Sequence, residues 1–216
     1  WQERGDAEAF HAIVQRHARM VYHTARRILG ESEAEDVTQE CFVKLARARQ
    51  VQGQSLGPWL HRVAVNRSLD RRRGTMRRIE REKTYAQAQP AAAEQTFHEL
   101  EKLVDEALDA LPDESRRILV AHYLEGETHE TIAEREGVMR SAISHRMARG
   151  LEALRKELRR KGVDVPAATL TGALATLYAN AQALPAALSA SLGKLALAGT
   201  GSAAAGAGAM ASFSAA

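Results

Sequence analysis

Cysteine is almost absent. Cys41 is the only one in 216 residues, which excludes an intrachain disulfide and a cysteine-based zinc site. In a helical pattern it reads as a small buried hydrophobe rather than a reactive thiol. Aromatics are scarce, with four Phe, four Tyr and two Trp, so any core is aliphatic and small. The eight histidines show no HExxH spacing and no glycine-rich phosphate loop occurs. Hence no catalytic residue, metal, other cofactor or small-molecule substrate is expected. No stretch alternates apolar and polar residues long enough to argue a strand. No signal peptide is recognisable, and the chain opens at Trp1 rather than Met, as a fragment would. The expectation is a cytoplasmic, non-enzymatic, all-α protein.

Charge is present but segregated. The net value of +3 does not by itself demand a nucleic-acid partner. Yet Arg62 to Lys83 holds nine basic residues against three acids, while Glu31 to Glu40 holds five acids and no base. Two partners of opposite sign are implied.

Helical periodicity runs through most of the chain. Phe10, Ile13, Val14, Val21, Ala25, Ile28 and Leu29 recur at three- and four-residue steps and end at Gly30. Ser32 and Glu35 suggest a capping box for a second helix with the stripe Val37, Cys41, Leu45 and Ala48. Glycines within 50–57 break the pattern, and Pro58 suits the first turn of a third helix facing inward through Leu60, Val63 and Ala64. Residues 84–96, rich in Ala, Gln and Pro, read as a flexible linker. A further helical unit starts near Phe97 with Leu100, Leu103, Val104, Leu108 and Leu111. Pro112 then opens a helix expected to run to Gly126. Beyond Gly162 the chain is Ala-, Gly- and Ser-rich, and no charge lies between Asp164 and Lys194. Its prolines and alanines argue for short helices and a disordered end rather than a membrane span, so membrane contact by this tail is not expected.

Three elements carry chemistry. In the second helix, Glu33, Glu35, Asp36 and Glu40 crowd around Gln39 and Phe42. The helix dipole accounts for the first two, but its effect fades before Glu40, leaving a docking face for a basic partner as an equal reading. The third helix carries Trp59, Arg62, Asn66, Arg67, Asp70, Arg71, Arg72, Arg73, Arg77 and Arg78. Such a cluster suits phosphates, and Trp59 is either a base-stacking surface or a core anchor. Finally, Thr128 can cap a short helix containing Ile132 and Ala133, and Gly137 supplies a turn. A longer helix then buries Ile143, Met147, Leu151, Leu154 and Leu158. This helix-turn-helix presents Ser141, Ala142, His145 and Arg149 outward, flanked by Ser144 and Arg146, as major-groove reading requires. A plain helical hairpin is the bland alternative. Two DNA-reading elements on one chain imply that two stretches of DNA are gripped together.

The strings AEDVTQECFVKL (34–45), PWLHRVAVNRSLDRRR (58–73), LPDESRRIL (111–119) and RGLEALRKELRR (149–160) resemble bacterial RNA polymerase sigma factors of the extracytoplasmic-function (ECF) group. The resemblance covers about residues 7–160, with four motifs in the family's order, and the tail from Gly162 resembles one found on some members. It implies two small helical domains. The first, over 7–83, is a region-two-like bundle and the second, over 97–161, a region-four-like helix-turn-helix. A linker over 84–96 joins them and an Ala-rich extension over 162–216 follows. It also implies that Asp36, Gln39, Glu40 and Phe42 dock on core RNA polymerase, resolving the reading of the acidic helix. Trp59, Arg62, Asn66, Arg67, Arg71, Arg72 and Arg73 would meet the melted minus-ten strand of promoter DNA. Ser141, Ala142, Ser144, His145, Arg146 and Arg149 would read the minus-thirty-five duplex. An anti-sigma factor is a further candidate partner.

The chain departs from the family pattern at Glu136, Met139 and Ser144, which bears on promoter sequence and affinity rather than on fold. The rival reading is a helix-turn-helix regulator that binds operators without polymerase, which leaves the acidic helix unused. A nucleic-acid enzyme would need a carboxylate or metal constellation that the sequence lacks.

Overall fold

The computed structural model describes residues 7–48, 55–82, 92–179 and 183–198; among them every regular element is helical. Three helices form the first unit: α1 (Ala7–Leu29), α2 (Glu31–Arg47) and α3 (Leu56–Glu82). The expected stripes meet in its core, where Phe10, Val14, Val21, Ala25 and Ile28 pack with Val37, Cys41, Leu45, Leu60, Val63 and Ala64. Gly30 turns α1 into α2 at φ 87°, a left-handed conformation that glycine adopts without steric cost. Because α2 resumes at Glu31, Ser32 falls inside the first turn and the capping box does not form; no side chain caps this helix. Glu31 and Glu33 compensate its dipole instead.

α1 is more than amphipathic. His17, Tyr22, His23, Thr24 and Arg27 are buried along with its apolar stripe, because α2, α3 and two later helices, α4 (Ala92–Ala110) and α9 (Ala186–Ala198), all pack on it.

The second unit comprises α4, α5 (Asp113–Leu119), a π-helical turn (Val120–Leu124), α6 (His129–Glu136) and α7 (Arg140–Arg160). α4 starts at Ala92, five residues ahead of the expected Phe97, so the last residues of the stretch expected as linker are helical; residues 83–91 lie outside the described ones. The helix expected from Pro112 to Gly126 is two pieces, with its last turn widened to π geometry. At the α4–α5 corner, buried Arg116 donates to the carbonyls of Asp109 (2.9 Å) and Leu111 (3.1 Å), satisfying acceptors that a helix end leaves open. Thr128 caps α6 by accepting from the Thr131 amide at 3.1 Å, and Gly137 closes it at φ 65°. Met139 precedes α7 without a capping hydrogen bond.

The tail continues as α8 (Ala167–Ala179) and α9. Leu170, Leu174 and Leu177 form one buried stripe and Leu188, Leu192 and Ala196 another. α8 lies on α7 and the π turn, while α9 lies on α1 and α2. Among the described residues, no helix is long and apolar enough to cross a membrane. Residues 199–216, where the disordered end was expected, lie outside the described ones.

Candidate nucleic-acid interface

The acidic face of α2 and the basic face of α3 lie side by side. Arg71 sits between three carboxylates, 3.4 Å from Glu33, 3.5 Å from Asp36 and 3.2 Å from Glu40, and Arg67 reaches Glu40 at 4.0 Å. Asp36, Gln39, Glu40, Val43, Lys44, Arg47, Arg67 and Arg71 line an open groove between the two helices. Asp36 stays exposed, and Gln39 and Glu40 half-exposed. Phe42 is fully buried in the core and offers no surface to a partner. Cys41 beside it is also fully buried; burial first, and then the Glu40 charge, push its thiol up to about 12, so it carries no thiolate near neutrality.

The residues expected on the minus-ten strand divide by what they touch. Trp59 is half-buried, packed in part against the core and in part open to solvent. Arg62 pairs with Asp109 at 3.0 Å and Arg72 with Glu106 at 3.0 Å, both across to α4. Arg71 and Arg67 face α2, as above. Asn66 and Arg73 are exposed, and Arg73 pairs with its neighbour Asp70 at 3.2 Å. The mutual repulsion of these arginines is thus relieved largely by carboxylates of the same chain. Arg77 is exposed, and the side chain of Arg78 lies outside the described residues.

Sequence reasoning missed the joint between the two units. Asp105 of α4 is fully buried and accepts from Arg27 at 2.6 and 2.9 Å and from His61 at 3.0 Å. Burial alone would push this carboxyl up, but the Arg27 guanidinium and the His61 hydrogen bond outweigh it and hold it below the usual carboxylate range. Nearby, His17 pairs with Glu125 at 2.5 Å, and Glu127 is held by both Arg16 and Arg135. The available signal was a set of charges at the edge of apolar stripes: Arg27 before Ile28, His61 after Leu60, Asp105 after Val104.

On the helix-turn-helix, Ser141, Ser144, His145 and Arg149 of α7 are exposed and Ala142 is half-buried. Arg146 pairs with Glu114 at 3.1 Å. The Ser144 hydroxyl lies 3.3 Å from the Arg140 carbonyl and 3.4 Å from His129 Nδ1. His129 was not singled out from sequence. Burial first, then the neighbouring His122 and Arg140, hold its imidazole below its ordinary value. A neutral ring beside the helix that faces outward is able to accept as well as donate.

The Sigma-70 region 2 family matches residues 13–78, and the Sigma-70, region 4 family matches residues 107–156. Among curated relatives, the ECF RNA polymerase sigma factor SigM of Mycobacterium tuberculosis is 31% identical over 150 residues, covering 67% of this chain and 74% of that protein. The chain belongs to the ECF RNA polymerase sigma factors. This sigma factor is also 36% identical over 154 residues to the ECF sigma factor SigE of Mycolicibacterium smegmatis, covering 68% of this chain but only 60% of that protein. Its match to the ECF sigma factor SigW of Bacillus subtilis is 28% over 181 residues, covering 73% and 92% respectively. The matched regions place α2 and α3 of the sigma factor in region two, and the helix-turn-helix of α6 and α7 in region four.

Proposed function

We propose that this chain is a promoter-specificity factor for transcription initiation: it binds core RNA polymerase, sets its two units on promoter DNA and helps to open the duplex. The supporting observation is the juxtaposition of three charged faces on one small helical frame. The acidic face of α2, where Asp36 is exposed and Gln39 and Glu40 half-exposed, suits a basic helical surface of the polymerase. The arginine face of α3, with Trp59 at its start, suits a single strand, since arginines neutralise phosphates and a half-buried indole offers a stacking plane. The exposed Ser141, Ser144, His145 and Arg149 suit base edges in a major groove, with Ala142 against a thymine methyl and Arg146 on the flank. The chain then serves as a recognition subunit and leaves catalysis to the polymerase.

Run-off transcription with core polymerase and a promoter library tests this directly. The chain is expected to yield discrete transcripts that core enzyme alone does not. Asp36→Lys, at an exposed position, should weaken polymerase binding about tenfold or more, since reversing a rim charge turns an attraction into a like-charge contact. Failure to bind core polymerase would sink the reading in favour of an operator-binding regulator.

A further inference from the structure

The two helices of the helix-turn-helix begin differently. α6 starts on Thr128, whose hydroxyl accepts from the Thr131 amide at 3.1 Å, whereas α7 starts on Met139, which makes no capping hydrogen bond. Ser, Thr, Asp or Asn at that position would satisfy one of the first amides of the helix. Methionine gives nothing back through burial either. Val138 beside it packs against the core, but Met139 is 77% exposed, more than any other large apolar side chain among the described residues. The backbone that carries it is nonetheless fixed. Gly137 turns at φ 65°, the Val138 amide donates to the Ala133 carbonyl at 3.0 Å, and the Met139 carbonyl accepts from Ala142 at 2.9 Å and Ile143 at 3.4 Å. A lone exposed apolar residue is ordinary on a protein surface. One that also displaces a helix cap breaks a local rule without structural return, which is the mark of a surface that binds.

The place of Met139 says what it meets. In helical register it heads the row of Ala142, Arg146 and Arg149, along one side of the outward face of α7. The first residues of a recognition helix are the ones that reach base edges. In the major groove the apolar group that a base pair presents is the C5-methyl of thymine. An unbranched thioether with three rotatable bonds extends farther than Ala142 and adapts its shape to such a group. We propose that Met139 is a specificity-determining residue of region four: it packs on a thymine methyl in the minus-thirty-five duplex and so favours thymine at one position of that element. The inference rests on the reading of α7 as the helix that enters the duplex.

The test uses the full chain and fluorescein-labelled duplexes recovered by its own binding from a pool with a randomised segment. In the tightest of them each thymine is replaced in turn by deoxyuridine, which removes the methyl and keeps every hydrogen-bonding group, and affinity is read by anisotropy. One replacement is expected to weaken wild-type binding about fourfold, the worth of one methyl taken out of water. Met139→Ser should bind the thymine and deoxyuridine duplexes alike at that position, whereas Met139→Leu, still apolar, should keep the difference. Because Ser caps α7, Met139→Ser should also raise the urea midpoint, so the lost discrimination is not a lost fold. Thymine dependence that comes from Ala142 instead would survive in Met139→Ser. A wild-type chain indifferent to every replacement, or a Met139→Ser chain that discriminates as wild type does, overturns the proposal. Run-off transcription by the unaltered chain, measured alongside, reports separately on the sigma-factor reading: discrimination without polymerase-dependent transcripts would leave Met139 its role on an operator-binding regulator.

Discussion

Asp105 shows how a single side chain joins two units that look separate in sequence. Its carboxylate is fully buried, yet it accepts from both Arg27 and His61. A buried charge is tolerated only with such partners, and losing one member leaves the others desolvated without compensation. Asp105→Asn should therefore lower unfolding stability by about 3–5 kcal/mol near neutral pH. The pH dependence has a definite sign. The folded carboxyl titrates below the unfolded value of about 3.9, so its stabilisation is complete above that pH and is lost as pH falls through the folded value. The gap between wild type and variant in urea midpoint should be full at pH 7 and shrink below about pH 4. A gap independent of pH would mean that the carboxylate charge contributes nothing. From sequence, Asp105 was indistinguishable from any polar residue flanking the stripe of Val104 and Leu108, because helical periodicity specifies a core face but not which neighbour will cover its edge.

At the scale of elements, the helices whose apolar stripes have period 3.6 were legible and the modifications to them were not. α1, α2, α3 and α7 follow their stripes, and Thr128 and Gly137 delimit α6 as their residue types dictate. The capping box at Ser32 failed because the left-handed Gly30 starts α2 two residues early, a backbone event with no side-chain signature. The π turn at Val120–Leu124 likewise leaves the apolar pattern intact. α8 and α9 were foreseen as short helices, but their seats were not, because alanine around a single leucine row gives little contrast between faces. The seat of α9 makes a sharp prediction. Leu192 is 1% exposed against α1 and α2, whereas Lys194, two residues on, points to solvent. Leu192→Ala should cost about 2–5 kcal/mol, while Lys194→Ala should stay within about 0.5 kcal/mol of wild type. Equal, small effects in thermal or urea unfolding would mean that α9 is not held on region two.

For the whole molecule, sequence favours two domains on a flexible tether, and the family matches fall on two separate regions. The packing argues for mechanical unity. Buried residues from every described helix form one continuous apolar cluster, running from Phe10 in α1 through Leu108 and Ile118 to Leu192 in α9. Interfaces between loosely linked domains are small and polar, and such domains unfold separately. Here the buried Arg27–Asp105–His61 contact sits inside the joint, and the tail bridges its two sides. Screening by salt weakens only the exposed pairs, such as Arg62 with Asp109, and leaves the apolar contact and the buried triad in place. The full chain should therefore unfold calorimetrically in one transition, with van't Hoff and calorimetric enthalpies in agreement, at low salt and at about 1 M salt alike. Two resolved transitions at low salt would contradict the continuous core. Two transitions at high salt alone would mean that the exposed ion pairs, rather than the apolar contact, hold region four against region two.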